Sequence, residues 1–200
     1  SRRRTSKILL LGAFLAACLL LSGCVTLTDF EAGQDYRADI VAEAQPEQPV
    51  KQTFISRRAR LNSIQLWLQP VSAQEPESIV DVKIYPAGAS EEEQPLKQYS
   101  LSYPSLAKQF PLTVVFPALD TPAGQKFYLV ITASGGPVRV LGRAEDGYVD
   151  GELSIAQKPA AGDIAFRLTY DYDVGALQED LLTALSSAWL VIPALLGLWL

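Results

Sequence analysis

Between residues 145 and 152 the chain reads Glu145-Asp146-Gly147-Tyr148-Val149-Asp150-Gly151-Glu152, four carboxylates on a stretch that also holds two glycines. Carboxylate oxygens are hard ligands, and a bent glycine-bearing loop can wrap them around a Ca²⁺ ion. The spacing is not that of an EF-hand, so Asp146, Asp150 and Glu152 stand as candidate ligands beside the plainer reading of a solvated acidic turn. Other chemistry is narrowed by what is missing. The chain has no His, and its only cysteines, Cys18 and Cys24, precede the polar part. Neither a Ser-His-Asp triad nor a nitrogen–sulfur zinc site can be assembled from such a set. A pair of carboxylates can hydrolyse glycosides, but acidic residues are so widely spread here that no pair stands out. Glu91-Glu92-Glu93 reads as a solvated loop tip. No catalytic constellation is read in this chain, and any activity would lie beyond residue 200.

The elements that must carry these residues follow a period of two. Ile64, Leu66 and Leu68 alternate with polar or aromatic neighbours, as do Val80, Val82 and Ile84. The same holds for Leu112 to Phe116, Phe127 to Ile131 and Ile164 to Tyr170. Such alternation marks half-buried strands. Weaker strands are expected over 51–55, 96–103, 138–141 and 152–155, with Gly- and Pro-bearing turns between them. No helical period of useful length interrupts this, which points to an all-β, antiparallel, jelly-roll-like β-sandwich. Trp67 and Tyr85 have the opposite parity to the apolar set of their strands and should point away from the main core. Each is a candidate stacking surface for a sugar ring; the competing reading is a ring covered by a loop or by the lead-in segment.

The two ends of the chain are different in kind. Residues 8–24 read ILLLGAFLAACLLLSGC behind Arg2, Arg3, Arg4 and Lys7, the pattern of a secretory signal or signal anchor. The basic end should stay in the cytoplasm and the remainder pass outward. Residues 25–49 are expected to form a linker, with a short helical piece near 35–44, and residues 50–173 the extracytoplasmic sandwich. Residues 181–200 carry no charge over twenty positions, enough for a transmembrane helix, and the expectation is that the natural protein continues past them. Without the leader's four cations, 13 basic side chains face 22 acidic ones. A domain of that sign is a poor nucleic-acid binder and should be repelled by anionic headgroups.

Two resemblances add to this. The end of the first apolar run, Leu21-Ser22-Gly23-Cys24, resembles the lipobox of bacterial lipoprotein signals, which implies a diacylglyceryl group on Cys24; the alternative is a retained signal-anchor helix. The order QTF (52–54), LNSIQLWL (61–68), LTVVFPALDTPAGQKFYLVIT (112–132), GYVDGELSI (147–155) and GDIAFRLTY (162–170) is similar to β-sandwich, galactose-binding-like ectodomains of bacterial multi-pass, glycosyltransferase-like membrane proteins. The resemblance implies a non-catalytic, membrane-anchored module outside the cytoplasm that binds or positions a glycan. Its partners would be the membrane and a glycan or envelope protein. The competing class is an envelope lipoprotein acting by protein–protein contact.

Overall fold

The computed structural model describes residues 25–71 and 77–172. Cys24 and its lipobox, and the apolar runs 8–24 and 181–200, lie outside them. Among the described residues no helix is long and apolar enough to cross a membrane. The chain divides into two units, Ser1–Leu27 with Asp171–Leu200, and Thr28–Tyr170. The second carries the sandwich.

In order the elements are β1 (Val25–Gln34), β2 (Asp39–Ala44), β3 (Val50–Ser56), β4 (Leu61–Leu66), β5 (Leu68–Pro70), β6 (Ile79–Pro86) and β7 (Lys97–Ser102). A single helical turn, α1 (Tyr103–Leu106), precedes β8 (Leu112–Val115), β9 (Gln125–Ser134), β10 (Val138–Arg143), β11 (Leu153–Ile155), β12 (Lys158–Ala160), β13 (Asp163–Ile164) and β14 (Phe166–Tyr172). They form a six-stranded sheet, β12-β11-β3-β9-β6-β7, a four-stranded sheet, β1-β14-β4-β8, and a smaller sheet in which β10 is flanked by β13, β2 and β5. Every register determined is antiparallel. The all-β antiparallel sandwich is what the period of two requires.

Burial follows the pleat. In β3 the residues Val50, Gln52, Phe54 and Ser56 are buried while Lys51, Thr53 and Ile55 are half-buried on the other face. Phe54 stacks on Phe127 across the β3–β9 ladder at 5.6 Å and meets Phe166 of the opposing sheet at 5.8 Å. Phe166 in turn receives the edge of Tyr148 at 5.1 Å. One continuous core, with Ile64, Leu66, Leu129, Ile131, Val140 and Leu168 among its members, joins all three sheets. Burying side chains of this size contributes roughly 1.5–3 kcal/mol each, and that burial, not disulfides, holds the domain together.

Residues 25–49 are not a linker. They contain β1 and β2, and β2 pairs with β10 through Ala44↔Val138 and Ala42↔Val140. Asp39-Ile40-Val41-Ala42-Glu43-Ala44 is rich in helix formers, but the small Ala42 and Ala44 fit beneath Val138 and Val140 in the core. Packing here overrides propensity.

The chain changes sheet twice at one place. β4 belongs to the four-stranded sheet and β5 to the small one, and the residue between them is Trp67. β13 and β14 make the reverse crossing through Ala165. Leu141 donates its N–H to the Trp67 carbonyl at 3.0 Å, and Ala165 donates to the Leu141 carbonyl at 2.8 Å. Strands that switch sheets make the corners of a sandwich. Close approach at this corner requires Gly142, where a Cβ would collide with the Asp163 carbonyl.

Candidate functional site

The outer face of the six-stranded sheet is built from the residues that alternate with the core set. Pro159, Ser154 and Lys51 lie side by side across β12, β11 and β3, and Lys51 is opposite Val130 on β9. One pair further on, Thr53 faces Tyr128, and Tyr128 faces Tyr85 on β6. The two tyrosine rings stack at 5.0 Å, nearly parallel. The turn that follows β6 then folds back over them. Tyr128 donates its hydroxyl to the Ala89 carbonyl at 2.8 Å, and Tyr85 reaches the Glu91 carbonyl at 3.4 Å. Both phenols titrate above their ordinary range, first because burial disfavours the phenolate and then because Glu91 is near.

Between that turn and the β11–β12 hairpin lies an open cleft of about 360 Å³. Its polar lining is Lys51, Thr53, Glu91, Glu152, Ser154 and Gln157, with Pro49, Leu153 and Pro159 supplying apolar wall. Lys51 is fixed from two sides. Its Nζ lies 3.7 Å from the Tyr128 ring centroid and 3.4 Å from a Glu91 carboxylate oxygen. Thr53 accepts the Glu152 N–H through Oγ1 at 2.7 Å, which holds that rim in place. At the opposite rim the two-residue turn Ala156-Gln157 has φ of 50° and 63°. Two positive φ values are what a type I′ hairpin demands, and Gly or Asn normally supplies them. An Ala and a Gln held there are strained, and Gln157 lines the cleft.

No protein-family model and no curated protein matches this sequence. The cleft is therefore read on its chemistry alone. It offers one ammonium, two carboxylates, two hydroxyls and a primary amide. Such a set donates and accepts in nearly equal measure and suits a ligand whose groups do both, as hydroxyls do.

The residues singled out in the sequence are placed as follows. Trp67 and Tyr85 do point away from the main core, each in a small cluster of its own. Neither ring is bare. Trp67 is 3% exposed, with Leu141 and Ala165 beside it and the guanidinium groups of Arg37 and Arg167 at 5.0 and 5.4 Å from the ring centroid. Asp35 ties both arginines, at 3.3 and 2.6 Å. Tyr85 is 2% exposed beneath the 86–93 turn. The lead-in segment and a loop thus cover the two rings.

The acidic loop is tied down from below. Asp163, fully buried, accepts the N–H groups of Gly147 and Tyr148 at 2.8 Å each and the Gln52 amide at 3.1 Å. Gln52 closes the network by accepting from Ile164 N–H at 3.1 Å. Tyr148 accepts the Ile55 N–H on its hydroxyl at 3.1 Å, and burial raises its pKa above the usual phenol value. Asp150 pairs with Arg57 at 2.9 Å, while Glu152 turns to the cleft. Asp146 and Glu152 line one small pocket while Asp150 is paired with Arg57, and among the described residues no group of three or more His, Cys, Asp or Glu is placed to hold a metal ion. What sequence reading missed is the cleft itself, whose lining comes from 49–53, 91 and 152–159 with no local motif to betray it.

Proposed function

We propose that this chain is the extracytoplasmic part of a membrane-anchored protein, with a jelly-roll-like sandwich that binds or positions a neutral, hydroxyl-rich ligand of the glycan class. The observation that carries the reading is the cleft on the outer face of the six-stranded sheet. Its mixed donors and acceptors, two of them ordered by partners within the protein, favour a polyol over a strong anion or cation. The two apolar runs in the sequence supply the anchoring, and the resemblance to glycosyltransferase-like ectodomains supplies the ligand class. Catalysis forms no part of the proposal, and lipid on Cys24 would add a second anchor to the apolar run 181–200.

The test is a titration of the full chain in detergent micelles with bacterial envelope glycan fragments, followed by saturation-transfer NMR. The expected dissociation constant lies between about 1 mM and 1 µM, weak because the site is open. Lys51→Ala and Gln157→Ala should each reduce binding several-fold with the fold intact. Binding that ignores both substitutions, or no binding across the fragment set, would retire the glycan reading. A second reading, protein–protein contact in the envelope, draws on β7, which among the described residues pairs on one side only, with β6. An unpaired edge is a template for another chain's strand.

A further inference from the structure

The six-stranded sheet ends in two unlike edges. One is β12, three residues long with Pro159 in the middle, too short and too poor in donors to extend the sheet. The other is β7, Lys97-Gln98-Tyr99-Ser100-Leu101-Ser102, matched to β6 through six consecutive pairs without a register shift. Among the described residues β7 has no neighbour on its other side. Which of its backbone groups face that way follows from the ladder. Ile79 donates its N–H to the Ser134 hydroxyl on the β9 side at 3.2 Å, and Tyr103 donates to the Ser78 carbonyl at 3.0 Å. Hydrogen-bonded residues alternate in an antiparallel pair, so Lys97, Tyr99 and Leu101 direct their N–H and C=O groups at β6. Those of Gln98, Ser100 and Ser102 point outward from the sheet.

That edge is its own complement. Its side chains repeat the same polarity in both directions from Ser100: Tyr99 and Leu101 are apolar, Gln98 and Ser102 polar. Tyr99 and Leu101 are half-buried against the core, while Gln98 and Ser100 are exposed on the outer face. A strand laid antiparallel with its Ser100 opposite this Ser100 brings Leu101 to Tyr99 and Ser102 to Gln98. Apolar then meets apolar on the inner face, polar meets polar on the outer, and each outward N–H finds a carbonyl. Lys97, the single charge of β7, stands outside the five matched residues, so like charges do not meet. A shift of two residues one way sets Lys97 against Leu101. The same shift the other way runs the pairing into α1.

We propose that β7 pairs with β7 of a second copy of this chain, about a two-fold axis at Ser100, and joins the two six-stranded sheets into one. The proposal rests on the protein-contact reading above and names the partner. A two-fold interface takes the same surface from both subunits, and a strand whose polarity reads alike in both directions supplies one. Main-chain bonds carry such a seam, and the side-chain match sets its register. The contact is small, so the pairing is weak in dilute solution, and anchoring in one membrane concentrates the copies that make it. The cleft draws its strand residues from β3, β11 and β12, towards the opposite edge of the sheet, so the pairing leaves it open.

The test is oxidative cross-linking of the full chain in bacteria that express it, with Cys18→Ala and Cys24→Ala so that only introduced thiols report. Ser100→Cys should give a disulfide-linked product of twice the chain mass, since hydrogen-bonded partners hold their Cα atoms about 5.5 Å apart, within disulfide reach. Gln98→Cys alone should give several-fold less, because its counterpart lies four residues along, about 13 Å away. Adding Ser102→Cys to that chain should restore the product. Gln98→Lys/Ser102→Lys in the Ser100→Cys chain sets like charges opposite each other on both sides of the axis, and should lower the yield several-fold. Coexpression with a Gln98→Glu/Ser102→Glu/Ser100→Cys chain should recover it. Equal yields from Ser100→Cys and Gln98→Cys would mean collision without register and would overturn the proposal. A Ser100→Cys product of another mass, from a different protein on the same edge, overturns the second copy and spares the protein-contact reading. No product of either kind defeats both.

Discussion

Trp67→Ala separates a structural ring from a binding platform. Trp67 fills the corner where β4 passes into β5, against Leu141 and Ala165. Truncating a buried Trp costs about 3–5 kcal/mol. The corner cluster is small, and the stems of Arg37 and Arg167 can settle into the space, which places this site near the lower limit, about 3 kcal/mol. Loss of two cation–π contacts, about 0.5–1 kcal/mol each at exposed arginines, is contained in that figure. For a chain of this size 1 kcal/mol moves the melting temperature by about 2–4 °C, so a fall of about 6–12 °C is expected. Far-UV circular dichroism is the appropriate readout, since fluorescence would lose the residue under study. Trp67→Phe, which keeps much of the volume, should recover more than half of the loss. A melting temperature within about 2 °C of the wild type, together with lost glycan binding, would refute the corner assignment and restore Trp67 as a stacking surface.

Three further outcomes are expected. Asp163→Ala leaves the Gly147 and Tyr148 N–H groups and the Gln52 amide without their acceptor, and should cost about 2–4 kcal/mol by urea denaturation while accelerating amide exchange over 146–151; an unchanged midpoint would contradict the network. Ala156→Asn/Gln157→Gly, which suits the type I′ turn, should stabilise the domain by about 1–2 kcal/mol yet weaken ligand binding, and a destabilised variant would show that the turn is not strained. In the folded state Tyr85, Tyr128 and Tyr148 hold their protons above the ordinary value of 10.0, so the stability they confer is complete below that pH and is lost as pH rises through their folded-state values; urea midpoints should fall above about pH 10, less steeply in Tyr148→Phe, and a midpoint that climbs there would reverse the sign.

Strands with one face on the core were legible because burial imposes a period of two that propensity cannot mimic. β4, β6 and β9 stand over the alternations through Ile64, Val80 and Phe127, while the run from Ile164 to Tyr170 is divided at Ala165 between β13 and β14. β2 was hidden because Ala and Glu carry a helical signal, and only contact with Val138 and Val140 decides against it. The β11–β12 hairpin was half-visible: residues 152–155 read as a strand, but Ala156-Gln157 is no turn signature. Parity found the side of the sheet on which Trp67 and Tyr85 stand, a local property of each strand. What covers them, Arg37, Arg167 and the 86–93 turn, arrives from elsewhere in the chain. The cleft is distant in sequence for the same reason.

Because β1 and β14 are neighbours, with Gly33 near the close of one against Phe166 at the start of the other, they run in opposite directions and the sandwich is, topologically, a very large loop. Everything between Thr28 and Tyr170 begins and ends at adjacent strands, so a host polypeptide can carry the whole domain in place of a short turn without separating the points of attachment. A module of that kind is portable.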